Sequence, residues 1–543
     1  MRNSSIITRR NFLDRSIKLG LGVALSTLVD IPLVVRRALA ENGIGLNGKK
    51  VLFVFLRGAN DALNAVIPAQ DEGMYNLVTG ASPIRPDIGI LLDNAKDYSQ
   101  SVVDFPESGT TNPTFYYSNA IRAGNGFAAL HPALKFLCPL LQAGDLAVLH
   151  RVGYPKQSRS HFDSQRYWEN GSPGNNTLQE GIFYRAMVES GLAATAPLTG
   201  VSFQSALPLL LRGSGAAMTN LSDPSRYDLL GIPYTSSGEA KADVAMAAAN
   251  NYPFPAKANR ELLSLQYKNL SQTLDIFSDI DFAESQEQLI DDPDTDGNTG
   301  KAYRLFPTSQ STNGGFPTGG EDKYVVDTGA YGFMKNLRAA ALVLNQTDAI
   351  VSGTEFGGWD THNNQGAATG THAKLLSRVG WAMYALRKYF KRYGKGGTNP
   401  SPGAKVGWDD VVVVTLSEFG RTTIENGNNG TDHAEASCMF VAGGSINGGI
   451  YGCHPGDSVP WITGPANQGG GVDGSMFGVS DRYLKRAIDY RSVLGKIIRD
   501  HLGATQTQLN NIIPGYATPG ENLLAGPTSD IDGTPIMGEP AFL

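Results

Sequence analysis

Four apolar runs punctuate the chain, and each gives way to a short polar string. Lys50–Leu56 (KVLFVFL) leads into Arg57-Gly58-Ala59-Asn60-Asp61, and Leu146–Val152 (LAVLHRV) leads into Gly153-Tyr154-Pro155. Ala349–Ser352 is a shorter run, and Val411–Leu416 (VVVVTL) is the clearest. Continuous β-branched runs mark strands buried on both faces, as in parallel sheets. Between them lie helical periodicities. Ser158-Arg159-Ser160-His161 opens a helix through Trp168, 333–345 and 371–390 predict two more, and Ala133–Leu141 predicts a helix whose last turn Pro139 breaks. Strand, loop and helix in alternation predict an α/β fold, a mostly parallel sheet covered on both faces.

The stretch 190–330 breaks this rhythm. Ala-rich helical segments (240–250, 258–277) alternate there with Gly/Ser/Thr/Pro loops, without evident buried strands, and predict an insertion or cap. Asp292-Pro-Asp294-Thr-Asp296-Gly297 resembles the start of a calcium loop, but Tyr303 stands where the bidentate Glu belongs, so it reads as a solvated acidic loop. From Pro514 onward the chain is rich in Gly and Pro and predicts an extended surface tail.

The first forty residues read as an address. Thr8-Arg9-Arg10-Asn11-Phe12-Leu13 fits a twin-arginine export signal, a moderately apolar stretch follows, and Ala38-Leu39-Ala40 offers a small-x-small cleavage site. A membrane span needs about 20 apolar residues; Lys18, Asp30, Arg36 and Arg37 crowd this segment. The expectation is a periplasmic or secreted protein delivered by the twin-arginine machinery, membrane-bound only if the leader stays uncleaved. Without the leader, 38 basic residues face 49 acidic ones, a net charge of −11. That sign argues against a nucleic-acid partner. Cys138, Cys438 and Cys453 make no disulfide framework or zinc-finger spacing; Cys438 and Cys453 either pair or stay as buried thiols.

Candidate chemistry gathers at the strand ends, where α/β proteins bind ligands. Gly-Trp-Asp360-Thr-His362, Ser-Glu418-Phe-Gly-Arg421 and Gly-Thr-Asp432-His433 supply carboxylates and imidazoles, the groups that hold divalent metals. Asp360 and His362 alternate, so both can face one ion. Glu418 is a further candidate ligand or else the partner of Arg421 in a buried ion pair. Asp61 is either a site carboxylate or a turn residue. Ser158, Ser160 and His161 stand at a helix N-terminus, where backbone amides favour anions, though Ser160 with Asp163 is equally a capping pair. His131, His150, His372, His454 and His501 lack such company and read as structural.

These strings, with LRGANDALN (56–64), HPAL (131–134), SRSHFDSQ (158–165), SEFGRTTIENG (417–427) and GTDHA (430–434), resemble the bacterial domain-of-unknown-function family 1501. That family sits with the alkaline phosphatase/sulfatase superfamily. The resemblance implies a three-layer α/β/α sandwich over 41–513, with the insertion at about 190–330, and a metal-dependent hydrolase ancestry. Carried over, Asp61 is the first-strand Asp, Ser160 or Ser158 the nucleophile, Asp360 and His362 a metal pair, and His433 the last metal-ligating His, beside Asp432. The superfamily often has Asp-His where this chain has Glu418-Phe419, which implies one divalent ion (Zn, Mn, Mg or Ca) rather than two. The expected activity is hydrolysis of phosphate or sulfate esters, with Ser160 attacking and Arg57 or Arg421 cradling the anion. The alternatives are a non-catalytic envelope or binding protein on the same fold and a metal-free hydrolase using Ser160, His433 and an Asp. No GxSxG elbow supports the last.

Overall fold

The computed structural model describes residues 43–100, 119–192, 198–214, 326–465 and 481–517, with shorter pieces at 218–223, 244–245, 248, 272–282, 289–291, 302–307, 472–478, 523–525, 528–529 and 533–543. The leader and the acidic loop at 292–297 lie outside these residues.

A nine-stranded mixed sheet forms the centre. Its strands are β1 (Lys50–Arg57), β2 (Leu146–Gly153), β3 (Gly200–Phe203), β4 (Thr219–Leu221), β5 (Val351–Gly357), β6 (Val411–Leu416), β7 (Ser437–Ala442), β8 (Gly449–Tyr451) and β9 (Ile488–Asp489). The order is β8-β2-β7-β6-β1-β5-β3-β4, with β9 also on β2. β1 runs parallel to β5 and β6, and the remaining pairings are parallel except that β7 opposes both β6 and β2.

Strand β1 shows why the apolar runs are continuous. Leu52, Val54 and Leu56 enter one hydrophobic cluster with Leu337 and Leu376, while Val51, Phe53 and Phe55 enter a second with Phe183, Leu494 and Leu509. A strand buried on both sides cannot alternate with polar residues. The first cluster is covered by α3 (Tyr331–Gln346) and α4 (Thr371–Tyr393), which follow α1 (His161–Asn170) and α2 (Ile182–Glu189) in the chain. The second is covered by α2, α5 (Tyr490–Lys496) and α6 (Gln506–Ile512).

Several expectations shift. The strand read at Ala349–Ser352 is β5, displaced toward Gly357. Its second half lost its apolar signature for local reasons: Gly353 lies under the Phe53 ring, Thr354 donates to the Phe203 carbonyl, and Glu355 pairs with Arg57. Gly200–Phe203 and Thr219–Leu221 extend the sheet inside the stretch read as free of buried strands; three or four residues are too few for a periodicity to show. Pro139 does not break a last turn. A 3-10 helix over Pro132–Leu137 hands over to a helix at Cys138–Gln142, where Pro139 occupies the tolerated first turn. The tail is anchored, since Ile536 and Phe542 are buried and Arg499 pairs with Glu539. All three cysteines are buried free thiols. No helix among the described residues is long and apolar enough to cross a membrane.

Candidate metal centre

Because β1, β2, β5 and β6 are parallel and β7 is antiparallel, the loops leaving the first four and the loop entering β7 share one edge of the sheet. Two glycines let these loops touch. Gly58 has φ +116, and a Cβ on it would lie 2.6 Å from the Asp360 backbone nitrogen. A Cβ on Gly430 would lie 2.2 Å from the His362 carbonyl oxygen. Only a bare backbone passes at such separations. Beneath them, buried Trp359 fixes the Asp360 loop by donating from Nε1 to the Phe356 carbonyl.

Asp360 Oδ1 is the focus. His362 Nε2 and His433 Nε2 each lie 3.1 Å from it, His161 Nε2 lies 3.5 Å away, and the two nearer nitrogens are 2.9 Å from each other. Ligand atoms of His161, Asp360 and His433 all fall within 4.8 Å of one another. The far nitrogen of each ring meets an acceptor: Glu418 Oε1 at 2.8 Å for His161, Asp432 Oδ1 at 3.2 Å for His362, and the Arg159 carbonyl at 2.9 Å for His433. Carboxylates and carbonyls only accept, so the neutral rings carry their proton on Nδ1 and present a bare Nε2. Three such lone pairs around a carboxylate oxygen repel unless a proton or a metal ion lies among them.

Both carboxylates at the cluster are held in the ionised form. Burial opposes the charge on Asp360, but Arg421 and the neighbouring imidazoles outweigh it and hold the carboxyl at about 2. Glu418 is buried, yet its hydrogen bonds from His161, Gln165 and Gly58 keep it below the usual carboxylate range. The bond to Glu418 raises His161, whereas burial lowers His433.

Other nominated residues stand around this core in different roles. Asp432 orients His362 and is held by Asn426 at 3.0 Å and Arg482 at 2.8 Å. Arg421 does not pair with Glu418. Its buried guanidinium donates to the carbonyls of Gly58, Ala59, Trp359 and Thr431 and to Asp360, clamping the loops and leaving no donor face for a substrate. Arg57 is likewise committed, to Glu169 at 2.7 Å and Glu355 at 3.0 Å. Asp61 is outside the cluster: it caps the turn at Leu63, accepts from Gln365 at 2.6 Å and pairs with Arg85. Ser160 caps α1 through a 3.4 Å bond from Asp163 N, and Ser158 accepts from Ser160 N. Neither hydroxyl hydrogen-bonds an imidazole among the described residues.

Sequence reasoning passed over Gln165, Asn426, Arg482 and Arg85. Gln165 carried a usable signal, lying one helical turn after His161 and so on its face. The five histidines read as structural are mostly engaged as such: His372 with Asn60, His501 with the Lys50 carbonyl, His150 with the Ala62 carbonyl and His131 with the Ala367 carbonyl.

Residues 231–462 match the model of a family described as "Protein of unknown function (DUF1501)". The match spans the GWDTH, SEFGR and GTDH strings and supports the resemblance to that family over this part of the chain. No curated protein and no solved structure matches.

Proposed function

We propose that this chain is an exported, metal-dependent hydrolase of phosphate or sulfate esters on an alkaline phosphatase-like α/β/α fold. The observation that carries the reading is the convergence of three imidazole Nε2 atoms on Asp360 Oδ1 at the sheet's ligand-binding edge. Asp360, His362 and His433, with His161 beside them, would hold a divalent ion, which would supply charge stabilisation for the ester oxygen. Ser160 is the candidate nucleophile. Its capping bond is long, it adjoins His161 in the chain, and it sits among the amides that open α1. The twin-arginine string and the acidic mature charge support a periplasmic or secreted protein acting on a small anionic ester.

Metal content decides this reading. The exported protein is expected to carry a stoichiometric divalent ion that Asp360→Ala and His433→Ala both lose. It should also cleave some member of a panel of aryl phosphates, phosphodiesters and aryl sulfates. A folded, metal-free wild type with no dependence on either residue overturns the reading.

One observation favours the non-catalytic alternative. Asp61, aligned by resemblance with a metal-binding aspartate, is paired with a guanidinium instead. In that reading the chain is an envelope or binding protein, inert toward the whole panel.

A further inference from the structure

Position 419 is where the resemblance implies an imidazole, and the chain has phenylalanine there. The structure answers this with a ring from another element. His161, first residue of α1, rests on Phe419 with ring centroids 4.8 Å apart and meets His433 edge-on at 4.4 Å. Its Nδ1 is held by Glu418, and its Nε2 is buried without a hydrogen-bond partner.

Glu418 is engaged differently from a ligand. Its Oε1 accepts from Gly58 N at 2.8 Å, His161 Nδ1 at 2.8 Å and Gln165 Nε2 at 3.0 Å. That oxygen orients a ring rather than an ion. The ligand atoms that lie within 4.8 Å of one another are two imidazole nitrogens, from His161 and His433, and one Asp360 carboxylate oxygen, with His362 Nε2 2.9 Å from His433 Nε2 and 3.1 Å from Asp360 Oδ1. Nitrogen-rich sets of this kind suit tetrahedral zinc-type ions, while magnesium and calcium favour oxygen-rich shells.

We infer that this chain builds a one-ion, nitrogen-rich centre in which His161 supplies the third imidazole, positioned by Glu418 and seated on Phe419, and that it takes Zn²⁺ in preference to Mg²⁺ or Ca²⁺. The inference rests on the metal-binding part of the proposed function and not on its ester chemistry. His161 would be a ligand and Glu418 a positioning residue, the carboxylate–histidine–metal arrangement that fixes a ring's tautomer.

The test uses the full mature chain, stripped with a chelator and reloaded with Zn²⁺ or Co²⁺. Expected are one Zn²⁺ per chain, no displacement by excess Mg²⁺ or Ca²⁺, and a Co²⁺ visible spectrum of a nitrogen-rich four-coordinate site. His161→Ala, a partly exposed position that circular dichroism can check for folding, should weaken Zn²⁺ by at least about 100-fold and change the Co²⁺ spectrum. Glu418→Gln should weaken Zn²⁺ by roughly 10–100-fold, the usual effect of losing a group that orients a ligand, with the spectrum retained. His454→Ala should change neither. Wild-type affinity and an unchanged spectrum in His161→Ala overturn the inference, as does a preference for Mg²⁺. So do two ions per chain, the second of which would need Glu418 Oε2, buried and without a partner. An inactive chain that binds one Zn²⁺ through His161 leaves the inference standing and removes the hydrolase. An active chain indifferent to His161→Ala does the reverse.

Discussion

Asp61 and Arg85 form a two-pronged ion pair, at 2.7 and 3.1 Å, with neither side chain exposed to solvent. Arg85 goes on to Asn64 Oδ1 and to the carbonyls of Thr422 and Thr423, so one guanidinium joins the turn after β1 to the loop after β6. Removing one partner from such a pair strands a buried charge, which costs about 3–5 kcal/mol. Arg85→Ala should therefore lower unfolding stability by about that amount in denaturant titrations. Asp61→Asn should keep its metal, because the carboxylate faces Arg85 and Gln365 and not the imidazole cluster. Metal lost from folded Asp61→Asn would restore that residue as a ligand.

The outer supports of His362 are unequal. Asp432 Oδ1 takes the ring's Nδ1, while Arg482 reaches Asp432 Oδ2 from a side chain that is 57% exposed. Water and salt screen the second contact more than the first, whose side chains are 36% and 38% exposed. Asp432→Ala should reduce metal affinity roughly 10–100-fold, as loss of a tautomer-fixing partner does elsewhere. Arg482→Ala should change it by less than about threefold. Competition with a chromophoric chelator measures both, and equal effects would contradict the asymmetry.

Much of this arrangement was legible in the sequence, and the reasons for the rest are specific. Val411–Leu416 was read to the residue because both its faces are buried, so every position but Thr415 is apolar. Asp360, His362 and His433 announced themselves as ligand types in glycine-bounded loops. His161 was visible as chemistry but not as a ligand, since its place depends on β2 and β6 lying two strands apart in one sheet. Arg421 and Arg57 looked like anion binders because charge is readable locally. Their partners, loop carbonyls and Glu169 with Glu355, come from distant segments. Arg85 gave no sign at all: nothing in its neighbourhood marks it as the counter-charge of Asp61.

Gly430 ties loop contact to the site. Its backbone runs against Thr361 and His362, and Thr431 N donates to the Thr361 carbonyl at 3.1 Å. A methyl group there would sit 2.2 Å from a carbonyl oxygen, and the loop carrying Asp432 and His433 must retreat. Gly430→Ala should lose metal affinity more than stability, because the retreat directly displaces the half-buried Asp432 and His433. Thermal unfolding of the stripped protein and metal titration separate the two. An alanine variant with wild-type affinity would show that the loop yields without moving His433.

Four histidines remote from solvent should make the fold acid-sensitive well before its carboxylates titrate. Burial pushes His131 and His150 down to about 3 and His372 and His501 down to about 4. In the unfolded chain each regains a value near 6.5. Between about pH 4 and 6.5 the unfolded chain therefore binds more protons than the folded one, and stability rises with pH. Acidification through this window removes up to about 1.4 kcal/mol per pH unit for each histidine. The urea midpoint of metal-stripped protein should accordingly fall steeply between pH 6.5 and 4.5 and stay nearly level from 7 to 8. His501→Gln keeps a donor toward the Lys50 carbonyl, which His501 Nε2 meets at 3.0 Å, and removes one titrating ring. That variant should show a shallower acid slope than wild type. A midpoint flat from pH 7 to 5 would mean that these rings take up protons without unfolding the chain.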